Sequence, residues 1–304
     1  MTQPRFFVPD VPVMISRRAL RRTHLFRPDE TMNQAYAYLL AWAAQKHGVE
    51  VIAAVLMSTH EHLVVLAPCA AAQAAFIRDL HRLVALFTKV YRKWDGAVWD
   101  HEKTSIVQLR TPEALIEKLA YIMANPVAAG CVPKAALWPG LTTRPDQLGA
   151  PLKTARRPSH FVDSDSTQWP ASLVLESQAP QVFGMSLTQL RSEVARELAH
   201  AEAEARKDVK RKGWAWIGVR KLRAMSPFRR ARAFEELTSR NPTFAVGRGQ
   251  RPAFFAAATE LRAFRTAYRA AFELWRTGMR EVVFPVGTLA MSLLHGARVA
   301  AGSG

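Results

Sequence analysis

The spacing of apolar residues changes repeatedly along the first half of the chain, and each change marks a new element. VPVMISRR (11–18) reads as a short strand running into a basic turn. TMNQAYAYLLAWAAQKHG (31–48) carries Ala, Leu and aromatic residues at helical spacing, and Gly48 stops it. VEVIAAVLM (49–57) is almost continuously apolar, as a strand buried on both faces should be. Four residues, STHE, return the chain into HLVVLAP (62–68), a strand closed by Pro68. From Ala71 to Trp94 a helix places Phe76, Leu80, Leu83, Phe87 and Val90 on one side and basic residues on the other. TSIVQLR (104–110) is a fourth strand. PEALIEKLAYIMA (112–124) is a helix that opens on Pro112 and is expected to end at Asn125-Pro126.

The order strand, helix, strand, strand, helix, strand, helix predicts an α+β, ferredoxin-like (split βαβ) fold, an antiparallel sheet with helices on one face. From about Trp138 to Met185 the periodicity fades into Pro, Ser, Thr, Asp and Gly. Beyond it, 186–213, 226–237 and 252–278 read as helices, with Ser186 or Thr188 as a cap for the first. The expected organisation is a catalytic domain over 1–140, a connector over 141–185 and an all-helical basic region over 186–304.

Charge sharpens this division. The chain carries 42 Lys+Arg against 25 Asp+Glu, a formal net charge of +17. Between Ala205 and Arg280 there are 19 basic and 5 acidic residues, so the remainder is nearly neutral. Such an excess points to a polyanion, and nucleic acid is the commonest. Two cysteines, Cys69 and Cys131, exclude a disulfide scaffold and a four-cysteine zinc site. The first residues lack the order of a signal peptide and no apolar run is long enough to span a bilayer. A cytoplasmic protein without a membrane partner is expected.

His60-Glu61-His62 stands at the mouth of the central strand. Residues i and i+2 of a strand share a face, so both imidazoles can approach one cation, although such pairs also arise by chance. Tyr121 and Asn125, four apart, share a helix face, with Glu117 one turn earlier. Tyr121 is either a half-buried packing residue or a nucleophile whose phenolate attacks a phosphodiester. Arg17, Arg18, Arg21 and Arg22 after the first strand, and Arg78, Arg82 and Lys89 on the second helix, are candidate DNA-binding residues, or else solvated charge. Trp214 and Trp216 stand beside basic runs and suit either base stacking or core anchoring.

AVLMSTHEHLVVL (54–66), the stretch from Trp94 to Lys103 containing VWDHEK, and YIMANPVAAGCV (121–132) together resemble the single-tyrosine HUH transposases of the IS200-like kind. The similarity is greatest to the REP-associated tyrosine transposase branch and covers about residues 8–140. It implies metal-dependent cleavage and rejoining of single-stranded or hairpin DNA through a 5′-phosphotyrosine intermediate. By motif position, Tyr121 is the nucleophile, and His60, His62 and Asn125 are the metal ligands. The resemblance implies Mg²⁺ or Mn²⁺ as the cofactor and DNA as the partner, and allows a homodimer. Glu61 stands where the family usually has an apolar residue. The alternative is a catalytically inactive, transposase-derived nucleic-acid-binding protein. An RNA binder using the same sheet is disfavoured, because VIAAVLM and HLVVLAP carry no aromatic residue.

Overall fold

The computed structural model describes residues 4–101, 104–159, 169–179, 183–231 and 242–300. The first half runs β1 (Val13–Arg18), α1 (Glu30–His47), β2 (Glu50–Leu56), β3 (His60–Leu66), α2 (Ala70–Arg92), β4 (Ser105–Leu109) and α3 (Pro112–Ala128). These strands lie in the order β2-β3-β1-β4 with every neighbour antiparallel, the ferredoxin-like arrangement the element order predicts. The second half adds β5 (Pro151–Arg156), β6 (Ser172–Glu176), α4 (Leu187–Arg211), α5 (Val219–Ala224), β7 (Phe244–Ala245), α6 (Arg251–Arg276), β8 (Val283–Phe284), α7 (Leu289–His295) and β9 (Arg298–Val299).

Alternation along the strands divides the core in two. Ile15, Leu63 and Val65 point toward α1 and α2, where they meet Leu39, Phe76, Leu80 and Phe87. Met14, Val64 and Val107 point the other way, toward α3 and α4. The expectation of helices on one face therefore holds for α1 and α2, and a second layer covers the opposite face. α1 starts on Asp29, whose carboxylate accepts from the Met32 amide, and stops on Gly48 in the left-handed region.

The rotation of α3 matters most for function. Leu115, Leu119, Ile122 and Met123 are buried against the sheet and α4. At roughly 1.5–3 kcal/mol for each fully buried apolar side chain, they fix the helix about its axis. Tyr121, on the other side, stays 49% exposed. The expected stop at Asn125-Pro126 is corrected: α3 runs through Pro126 to Ala128. Proline disrupts a helix through its missing N–H and its ring, but here it sits in the last turn, so little helix follows it. The end is closed instead by Ala129 and Cys131, whose amides donate to the carbonyls of Asn125 and Pro126. Asn125 thus stays on the helix, one turn from Tyr121.

Other departures have local causes. The stretch read as a connector contains the β5–β6 hairpin, which packs on α1 through the stacked rings of Trp42 and Trp169, 4.3 Å apart. Its signal, buried Leu173 and Leu175 around exposed Val174, is too short to stand out in a sequence. Of the helix expected over 226–237, residues 226–231 form a turn and a bridge instead, and 232–237 lie outside the described residues. The Arg229 carbonyl accepts from the His24 amide, and Arg230 bridges to Thr23, so pairing with a distant segment replaces helix formation. β7 joins β4 in parallel as a fifth strand. The basic half, mostly helical, contributes directly to the sheet of the first half. Among the described residues no helix is long and apolar enough to cross a membrane.

Candidate active site

Two strands and one helix assemble the site. His60 and His62 leave β3 on the α3 side, and Ser16 of β1 lies opposite His62. Their Nε2 atoms converge on one amide: His60 Nε2 lies 3.2 Å from Asn125 Oδ1, and His62 Nε2 lies 3.1 Å from Asn125 Nδ2. The amide sets the tautomers of two neutral rings. Asn125 Nδ2–H donates to His62 Nε2, so the His62 Nδ1–H donates to Ser16 Oγ, 2.6 Å away. His60 donates from Nε2 to Asn125 Oδ1, and its Nδ1 accepts from Thr59 Oγ1 at 2.9 Å. A hydroxyl can reverse that last bond, which would turn the Nε2 lone pair of His60 outward as well.

Both rings are held neutral. Burial pushes His60 down to about 4, and Arg18 and Arg22 push the same way against the Asn125 hydrogen bond. Burial, His60 and Arg18 hold His62 well below the usual imidazole range. The unfolded chain takes up a proton at each ring as pH falls through about 6.5. Folded His60 takes one up only near 4, so stability falls across that window, and for His60 the loss levels off below it. In metal-free buffer, His60→Asn is expected to lose less stability than the wild type between neutral pH and about pH 4. Urea titrations across that range check this; equal losses in the two proteins contradict it.

Tyr121 completes the cluster. Its ring lies edge-on to His62 with centroids 5.8 Å apart, and the Lys118 ammonium lies 5.5 Å from its centroid. Tyr121, Asn125, His60 and His62 open into a cavity of about 720 Å³. Its charged lining is one-sided: Arg18, Arg22, Lys212, Arg229 and Arg230 face it, with Asp100 as the acidic residue among those described. Such a field favours an anion. Arg21 and Arg22 both adopt the left-handed backbone region, and the Arg21 amide donates to Asp100 Oδ2 at 3.4 Å.

The remaining sequence-level candidates go elsewhere. Arg17 points through the sheet to the other side, where its guanidinium donates to His81 Nδ1 at 2.7 Å and sits over Trp99. Arg17 is half-buried and also lines the cavity, with its guanidinium engaged on the far face of the sheet. Arg78, Arg82 and Lys89 lie on α2, across the sheet from the two histidines, so they do not reach this cavity. Arg78 pairs with Asp79. Glu117 accepts from the Arg248 amide at 2.9 Å and serves to hold the β7 turn. Glu61 is fully buried, and it is satisfied: Tyr36 Oη donates to it at 2.7 Å, and His81 Nε2 bonds its other oxygen. The unusual carboxylate between the histidines therefore leaves the histidine face untouched.

Solved structures similar to this chain include two transposases. One is a REP-associated tyrosine transposase bound to a REP hairpin, at 16% identity and a TM-score of 0.39, covering 55% of this chain and 99% of that one. The other is a provisionally assigned transposase from Deinococcus radiodurans R1, at 17% identity and a TM-score of 0.28, covering 35% and 85%. No family model and no curated protein matches the sequence.

The chemistry open to the site rests on its own atoms. Among the described residues no three His, Cys, Asp or Glu side chains cluster as metal ligands, so a cation here would need the Asn125 amide oxygen as its third protein donor. Two neutral imidazoles and an amide converging on one point fit a divalent ion with open positions for phosphate oxygens and water. Ser16 and Thr59, bonded to the outer nitrogens of the two rings, are the orienting partners such ligands need, and neither stood out in the sequence. Lys212, Arg229 and Arg230 were equally hidden, because only the tertiary fold brings them to the cavity that Tyr121 lines.

Proposed function

We propose that this chain cleaves and rejoins single-stranded or hairpin DNA through a 5′-phosphotyrosine intermediate, with Mg²⁺ or Mn²⁺ held by His60, His62 and Asn125. The observation that carries this reading is the convergence of both histidine Nε2 atoms on Asn125, one helical turn from an exposed Tyr121. The cation's contribution, when bound, is to polarise the non-bridging oxygens of the phosphate.

The residues of the chain do the rest. Tyr121 Oη forms a bond to phosphorus while the bond to the 3′ oxygen breaks; the phenolic proton is lost and the departing oxygen gains one, leaving a 3′-hydroxyl. Lys118, Arg18 and Arg22 place positive charge where negative charge gathers. A second 3′-hydroxyl attacks the phosphotyrosine, restoring a phosphodiester and free Tyr121, so bond energy is conserved. The basic second half holds the DNA electrostatically, with an affinity that falls steeply as salt rises.

A labelled single-stranded or hairpin DNA incubated with Mn²⁺ and run on a denaturing gel tests the proposal. Metal-dependent cleavage is expected, and Tyr121→Phe should lower it by about 1,000-fold or more, because it removes the attacking hydroxyl. The phenol is half exposed, so the variant keeps the fold. Tight, salt-sensitive binding without cleavage would instead identify a non-catalytic binder.

A further inference from the structure

The wall facing Tyr121 is built from the second half of the chain, and it contains a flat aromatic surface in a cationic cavity. Trp214 lies just past the C-terminal end of α4, 44% exposed, and lines the same cavity as Tyr121 and Asn125. Its position is fixed from one edge. Gly130, in the left-handed region at the end of α3, lies against the edge of the indole, where a Cβ would come within 3.3 Å of Trp214 Cε3. The Ile217 amide donates to the Gly130 carbonyl at 3.1 Å, and the Gly218 amide to Cys131 at 3.0 Å. The segment carrying Trp214 is thus tied to the turn that follows Asn125. The Lys212 ammonium lies 4.7 Å from the Trp214 ring centroid, placing a cation at the platform.

Core anchoring does not account for this arrangement. An indole used for packing would be covered, as Trp138 is. Trp214 instead meets a glycine at its edge, carries Lys212 over its ring, and remains accessible in a cavity also lined by Arg229 and Arg230. Accessible aromatic rings among cations are the means by which proteins hold unpaired bases, since every base has a π-face and a phosphate beside it.

We propose that Trp214 is a stacking platform for an unpaired base of the DNA strand, next to the phosphate presented to Tyr121. This rests on the function proposed above for the same site. The platform would act on binding and placement, not on bond making.

The test scans a single abasic position along a single-stranded oligonucleotide and measures its affinity for the full chain, Trp214→Ala and Trp214→Phe, all carrying Tyr121→Phe so that no strand is cut. Trp214→Ala should weaken binding of the intact strand by about tenfold or more, and Trp214→Phe by much less. At one position of the scan, the abasic strand should bind the parent and Trp214→Ala equally. Equal binding of the intact strand by parent and Trp214→Ala would overturn the proposal. So would a loss in Trp214→Ala of the same size at every abasic position, which would mark a structural role, or an absence of single-strand binding by the parent. Cleavage by the chain with its Tyr121 intact is read separately: its failure with stacking preserved strikes the catalytic reading alone, and cleavage without stacking strikes the platform alone.

Discussion

His60→Ala and His62→Ala are expected to abolish binding of Mn²⁺ by isothermal titration calorimetry and to reduce strand cleavage more than a hundredfold. The two Nε2 atoms meet at a single amide group, so removal of either ring leaves one imidazole and one amide oxygen. Loss of an outer partner of a metal ligand already costs roughly 10- to 100-fold, and loss of a ligand itself should exceed that. Binding of DNA should persist in both variants, with the same dependence on salt, because Arg18, Arg22, Lys212, Arg229 and Arg230 remain. Retained Mn²⁺ affinity in either variant would place the cation elsewhere.

The largest effect on stability is expected at the residue between these two. Glu61 is buried on the opposite face, where it accepts from Tyr36 and bonds His81, itself bonded by Arg17. Glu61→Ala strips the partner from two buried polar groups at once. An unsatisfied buried donor costs about 1–3 kcal/mol, so a loss of roughly 2–5 kcal/mol is expected by urea unfolding. Glu61→Gln keeps one carbonyl oxygen as an acceptor and should cost less. A loss below about 1 kcal/mol for Glu61→Ala would show that the network contributes little. Burial and the Glu61 carboxylate also hold the Tyr36 phenol well above its usual range, so the unfolded chain gives up this proton first and stability falls as pH rises past about 10.

Much of this was legible in the residues because period and burial agree in the first half. The run EVIAAVL is apolar on both faces and is buried on both, and the period-2 alternation of β3 alone puts His60 and His62 on one side. Spacing of four placed Tyr121 beside Asn125 once the apolar side of α3 was recognised. The helix end was misplaced because Asn-Pro signals a stop locally, whereas the packed apolar side and the closing hydrogen bonds carry the helix through Pro126. Arg17 looked like its neighbours Arg18 and Arg22, yet strand alternation sends it to the other face, beneath Glu61 and His81. The far wall of the cavity was invisible for a different reason. Arg229 and Arg230 come within reach only through backbone pairing with residues some 200 positions earlier, and no local pattern encodes that.

The central claim is that Tyr121 becomes joined to DNA. The most direct measurement is mass spectrometry of the chain after incubation with a short single-stranded DNA and Mn²⁺, followed by nuclease and protease digestion. The expected result is a peptide carrying a 5′-phosphonucleotide remnant on Tyr121, formed only with the cation and missing in His60→Ala. A remnant on another residue, or strand cleavage with both new ends free and Tyr121 unmodified at every time point, would contradict the account.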